Sequence, residues 1–161
     1  MVPHYSAKIS FRAYFIDGWN GENLQVSVDG ASVATIPWSY SNCNGAPSLC
    51  QLTTCDYVRD HTTDSFVHTA STFLLKFSAP YVSSTKHLGI NSVKIVLSLC
   101  DSSCSACFGP SNTECSACNS GYWLQGSTCQ TFCNSNQYKA SGKCNSKLIF
   151  SRFTPFISIF S

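Results

Sequence analysis

The sequence predicts an all-β protein, an antiparallel β-sandwich followed by a small disulfide-rich β-hairpin repeat. Three observations predict it. Before residue 100 the hydrophobic residues recur with a period of two, and no helical period of useful length appears. Glycine, proline and asparagine punctuate short runs rich in Val, Ile, Phe and Tyr. Beyond residue 99 apolar side chains thin out and cysteine replaces them: eight of the eleven cysteines lie between Cys100 and Cys144. The 161 residues therefore divide into a sandwich at 1–99, a cysteine-rich repeat at 100–146 and an apolar tail at 147–161.

Residues 8–17 place Ile9, Phe11, Ala13 and Phe15 on one face, as a half-buried strand would. The loop 18–22 breaks that pattern. A second strand, Asn23 to Val28, turns Leu24, Val26 and Val28 inward. Asp29-Gly30 is a two-residue hairpin signal, because a type I′ turn needs positive φ at both central positions. Ala31 to Trp38 returns as the third strand. Residues 39–64 are polar and read as a long loop, which a compact domain keeps when it is cross-linked or functional. It holds Cys43, Cys50 and Cys55, with one bridge expected from Cys43 to Cys50 or to Cys55 and one cysteine left over. Strands follow at Phe66–Thr69, at Phe73–Phe77, and at Val93–Leu99 with Val93, Ile95 and Leu97 on one face. Six or more short strands separated by turns make a sandwich of roughly 95 residues.

The segment from Cys100 to Cys144 is too short to stabilise itself by apolar burial and needs cross-links or metal. Its spacing is C-x3-C-x2-C-x7-C-x2-C-x10-C-x3-C-x10-C. Two C-x2-C pairs, Cys104/Cys107 and Cys115/Cys118, have a spacing that suits zinc. Against zinc, the pairs are only seven residues apart, no histidine follows His87, and the four other cysteines form no clean second site. An even number of cysteines among Ser, Asn and Gly is the composition of a disulfide scaffold.

The run C-D-S-S-C-S-A-C-F-G-P-S-N-T-E-C-S-A-C-N-S-G-Y-W-L resembles a furin-like cysteine-rich repeat, a module of growth-factor receptors, proprotein convertases, R-spondins and ciliate surface proteins. The resemblance implies the pairs Cys100–Cys107, Cys104–Cys115, Cys118–Cys129 and Cys133–Cys144, with Gly109-Pro110 and Gly121 at the turns. The first half, F-R-A-Y-F-I-D-G-W-N-G-E-N-L-Q-V-S-V-D-G and later H-L-G-I-N-S-V-K-I, resembles the domain that precedes such arrays in ciliate surface proteins. That likeness implies a jelly roll related to galactose-binding modules. The chain departs from its pattern at Gly18, Asn20 and His87-Leu88.

Composition excludes several functions. Charged residues are 11% of the chain and the formal net charge is +2, without the basic stripe that nucleic-acid binding needs. Disulfides place the chain in an oxidising compartment, extracellular or at the cell surface. Residues 1–6 carry no signal-peptide pattern, so the chain reads as a fragment, a processed product or a truncated gene product. The tail, Leu148 to Phe160, is apolar but short and broken by Arg152 and Pro155, so it does not support membrane anchoring. It reads as an edge strand on the sandwich or as read-through sequence. No N-x-S/T sequon occurs.

Asp17, Asn20, Glu22 and Asp29 bracket the first hairpin. Their oxygens suit calcium, with Asp17, Glu22 and Asp29 the carboxylates, while Asp at strand ends is also ordinary turn chemistry. Trp19 could stack on a sugar ring, with Asn20 and Glu22 beside it, or it could cap the sandwich core. Cys55, His61 and His68 are in no arrangement that the sequence ties to a nucleophile and its base. No catalytic motif is present, and Tyr122 and Trp123 read as packing between hairpins. The expected role is a non-enzymatic adhesion or ligand-binding module for a glycan or a protein. The alternative is a self-associating subunit of an extracellular filament or coat.

Overall fold

The computed structural model describes residues 1–17, 19, 21–37, 56–79 and 86–147. All of the regular structure among them is β, and all but one of the strand pairings are antiparallel. Strand β1 (His4–Ile16) is the axis of the first sheet. One of its edges pairs with β4 (Tyr57–Thr62) and β5 (Phe66–Val67), and the other pairs along its length with β7 (His87–Leu99). The second sheet runs β3 (Ala31–Pro37), β2 (Asn23–Val28), β6 (Leu75–Ser78).

The two sheets close on one core. Ile9, Phe11, Ala13 and Phe15 of β1 meet Leu24, Val26 and Val28 of β2, Ile36 of β3, and Trp19. Phe11 meets Phe77 of the second sheet edge-on at 4.9 Å between ring centroids. The period-two alternation thus has its expected cause, one dry face per strand. Asp29 (φ 50°) and Gly30 (φ 85°) make the turn between β2 and β3, the left-handed pair that the Asp-Gly dipeptide favours.

Two expectations need correction. The polar stretch 39–64 is not all loop, since residues 57–62 form β4. Its side chains are mostly exposed, so no apolar alternation announced it; its register comes from pairing with β1, from Ser10↔Thr62 to Phe15↔Tyr57. The Val93–Leu99 strand begins earlier, at His87, and Val93, Ile95, Val96 and Leu99 are exposed. β7 carries one extra residue opposite the step from Ser10 to Arg12, where Ser92 has φ 53°. Beyond that bulge its pairing with β1 continues, but it pairs with no other strand among the described residues. The bridge expected among Cys43, Cys50 and Cys55, the end of the third strand at Trp38 and the tail at 148–161 lie outside the described residues.

β7 runs directly into the repeat, which is three hairpins: β8 (Cys104–Cys107) with β9 (Cys115–Cys118), β10 (Trp123–Gln125) with β11 (Thr128–Gln130), and β12 (Gln137–Ala140) with β13 (Lys143–Ser146). A parallel contact, Leu124↔Lys143, joins the second hairpin to the third. Gly121 (φ 90°) makes the corner between β9 and β10. The repeat's own buried cluster is sulfur, Cys104, Cys107, Cys115 and Cys129, with Tyr5 of β1 and Leu124 against it.

Candidate interaction surface

Four bridges hold the repeat: Cys100–Cys107, Cys104–Cys115, Cys118–Cys129 and Cys133–Cys144. Their order is the one the repeat resemblance implies. The first joins the end of β7 to β8, the second lies within the first hairpin, the third ties the first hairpin to the second, and the fourth closes the third. The sulfurs of Cys104, Cys115 and Cys129 lie within 4.8 Å of one another, a grouping that could serve a metal. Each is bonded to another sulfur, which removes the thiolates that zinc would take.

Local hydrogen bonds fix the ends of the ladder. At its start the Asp101 carboxylate accepts from the hydroxyl and the backbone N–H of Ser103, at 2.6 and 2.9 Å, and these bonds hold its pKa below the ordinary carboxylate value. At the first hairpin tip the Glu114 carboxylate accepts the Ser111 N–H while the Glu114 carbonyl accepts the Phe108 N–H. Gly109 passes so close to the Glu114 carboxylate that a Cβ there would collide with it. Phe108, next in the chain to Gly109, is 62% exposed. Phe132, between the second and third hairpins, is 67% exposed, and Tyr138 is exposed too. Trp123 is half-buried, with the Lys139 ammonium 5.2 Å from its ring centre. The surface offers exposed aromatic rings on a cross-linked frame.

The residues singled out in the first hairpin are placed apart from this surface. Trp19 is 1% exposed, edge-on to Phe15, and its indole N–H donates to the His87 carbonyl at 3.1 Å. Its faces are spent in the core and present no platform to a sugar. Asn20 lies outside the described residues. Glu22 is ion-paired with Lys86. Asp29 accepts from the Leu74 N–H and from His68, which together hold its pKa down. Asp17 has φ 67° and a buried Oδ1 that finds no hydrogen-bond partner among the described residues. Glu22 and Asp29 therefore answer to different partners, and among the described residues no set of three metal-ligating atoms includes Asp17, Glu22 or Asp29. His61 leans on Phe11, its pKa lowered by burial and then by Arg59, and Cys55 lies outside the described residues.

One arrangement had no sequence signal. His4 and His68 lie nearly parallel, their ring centres 5.0 Å apart and their facing nitrogens 2.7 Å apart, and His68 continues to Asp29. These residues are 64 and 39 positions apart in the chain, so only the strand register brings them together. A cleft of about 370 Å³ opens beside His68, lined by Val28, Val33, Phe66 and Val67. Both ring nitrogens of His68 are occupied, so the cleft has no imidazole nitrogen to spare as a base.

The fold and the bridges define a class: a disulfide-stabilised, all-β protein of the kind made for an oxidising, extracellular compartment. The chain is similar, over 45 residues, to the extracellular matrix organizing protein FRAS1, at 47% identity in the mouse and 51% in the human protein. That stretch is 28% of this chain and 1% of either relative. No family model and no solved structure matches the chain.

Proposed function

We propose that the chain is a non-enzymatic, extracellular matrix-type module that holds a protein ligand on its disulfide ladder. The observation that carries this reading is the exposure of Phe108 and Phe132 on a frame whose turns are fixed by four bridges. Rigid aromatic side chains that lose little freedom on contact are the usual anchors of protein interfaces. The similarity to a matrix-organising protein supports the same compartment and the same kind of work. Glycan binding through Trp19 is not carried forward, because its ring is buried. Nor is a calcium site shared by Asp17, Glu22 and Asp29, because Glu22 and Asp29 are already committed to cationic or N–H partners.

The test is binding of the oxidised chain to immobilised extracellular matrix proteins and to a glycan array. Phe108→Ala with Phe132→Ala is expected to weaken protein binding about tenfold or more, while leaving the bridges and the fold intact. Binding confined to glycans would reverse the reading. A second reading, assembly into a filament or coat, is favoured by β7, whose Val93, Ile95, Val96 and Leu99 are exposed along a strand with one free edge among the described residues. Sedimentation of the chain alone separates the two, since a coat subunit self-associates without a ligand.

A further inference from the structure

The bulge between His4 and Ser6 in the β1–β7 ladder adds one residue to β1 and turns His4 to the buried side. There it meets His68, the two residues being 3% and 7% exposed. His4 Nδ1 lies 2.7 Å from the Val2 carbonyl, His4 Nε2 lies 2.7 Å from His68 Nδ1, and His68 Nε2 lies 2.9 Å from an Asp29 carboxylate oxygen.

The partners determine the protons. A carbonyl oxygen only accepts, so His4 Nδ1 carries hydrogen. Asp29 is ionised, so it accepts and His68 Nε2 carries hydrogen. The contact between the rings needs one hydrogen more. Two imidazoles thus hold three protons, a net +1 beside the single negative charge of Asp29. With four protons, two N–H groups face each other across the ring contact and that bond is lost. With two, either the ring contact or the bond to Asp29 loses its hydrogen. Only three satisfies the chain. Asp29 is the charged side chain that touches either ring among the described residues. β1 adds Tyr5, and β5, β7 and the segment before β6 add Val67, Leu99, Phe73 and Leu74, while Asp101 spends its carboxylate on Ser103.

His4 also sits between the two residues that grip the repeat. The Pro3 carbonyl accepts the Cys100 N–H at 3.2 Å, Tyr5 packs on the sulfur cluster, and the Tyr5 carbonyl accepts the His68 N–H at 3.3 Å. We propose that His4, His68 and Asp29 form a proton-counting latch that fixes the junction between sandwich and repeat and releases it on acidification. Imidazoles exchange protons across roughly pH 5 to 8, the range over which a secreted chain meets acid compartments.

Hydrogen exchange of the whole chain tests this. After correction for intrinsic rates, protection of the Cys100 and His68 amides is expected to fall about tenfold between about pH 7 and pH 5, with the Thr63 amide, bonded to Ile9 in the same sheet, unchanged. His4→Gln should make the Cys100 profile flat with pH. Asp29→Asn, at an exposed turn, should do the same and abolish the nitrogen–nitrogen NMR coupling expected between the two rings in the wild type. A Cys100 profile that is the same in the wild type and both variants overturns the latch. So does a wild type without that coupling, or a loss of protection shared equally by Thr63.

Discussion

The sandwich and the repeat are neighbours in one chain and solve the same problem by opposite means. In the sandwich, Ile9, Leu24 and Val26 are wholly buried, and what surrounds them is hydrocarbon from the facing sheet. In the repeat the residues that reach that depth are cysteines, and the aromatic rings of Phe108 and Phe132 stand outside. A chain that has sheets to close can place its apolar residues within. A chain of three small hairpins has no interior to fill, so it is held by covalent bonds and its rings stay exposed.

The largest effect should come from reduction. The bridges close loops with sequence separations of 7, 11, 11 and 11 residues. Each such closure is worth about 2.5–3 kcal/mol in the chain-entropy account, more in total than three hairpins can replace. A reductant at neutral pH is expected to erase the amide dispersion of residues 104–146 and leave the Trp19 indole in its buried environment. If the Trp19 signal goes at the same reductant concentration, the two regions are one cooperative unit and the contrast fails.

Next in size is a cavity in the sandwich. Leu24→Ala removes a fully buried side chain from β2 and should cost about 2–5 kcal/mol, read as a shift in the denaturant midpoint of Trp19 fluorescence. The four disulfides should still form, which a mass measurement with and without reduction checks. Loss of correct pairing in this variant would mean that the sandwich templates the repeat, through Tyr5 and the Pro3–Cys100 hydrogen bond.

How much of this was legible in the residues follows from the same contrast. The alternation Ile9, Phe11, Ala13, Phe15 and the pattern Leu24, Val26, Val28 were readable because each strand buries one face, and Asp29-Gly30 because its turn demands positive φ. The cysteine spacing was readable because covalent frameworks tolerate little variation in spacing. β4 was not, since Arg59 and Asp60 gain their places from the neighbouring strand and leave no apolar trace. β7 misled for the opposite reason: Val93 and Ile95 alternate as core residues do, yet they lie exposed on a strand with one free edge among the described residues. The His4–His68–Asp29 chain was illegible because a single bulge in β1 decides which way His4 points. Trp19 carried two readings in the sequence, and its hydrogen bond to His87 places it in the core.

The smallest effect sharpens the comparison at its finest scale, because each region has at least one carboxylate that the fold holds ionised. Asp29 does so for the sandwich, accepting from Leu74 and His68, and Asp101 does so for the repeat, accepting from Ser103. A carboxyl whose folded pKa is depressed adds stability that is present above its unfolded value, about 3.9, and is lost as pH falls through the lower folded value. Both side chains are solvent-facing, so screening keeps each contribution small. Asp101→Asn should therefore lower the melting temperature of the oxidised chain slightly at neutral pH, and the difference from wild type should shrink as the pH falls below the ordinary carboxylate value of about 3.9. Asp29→Asn should differ in kind, since it also removes the counter-charge of a histidine pair and so alters the curve between about pH 5 and 8. If the two substitutions gave superimposable pH profiles, Asp29 would be no more than a turn residue like Asp101, and acid sensitivity would belong to neither region in particular.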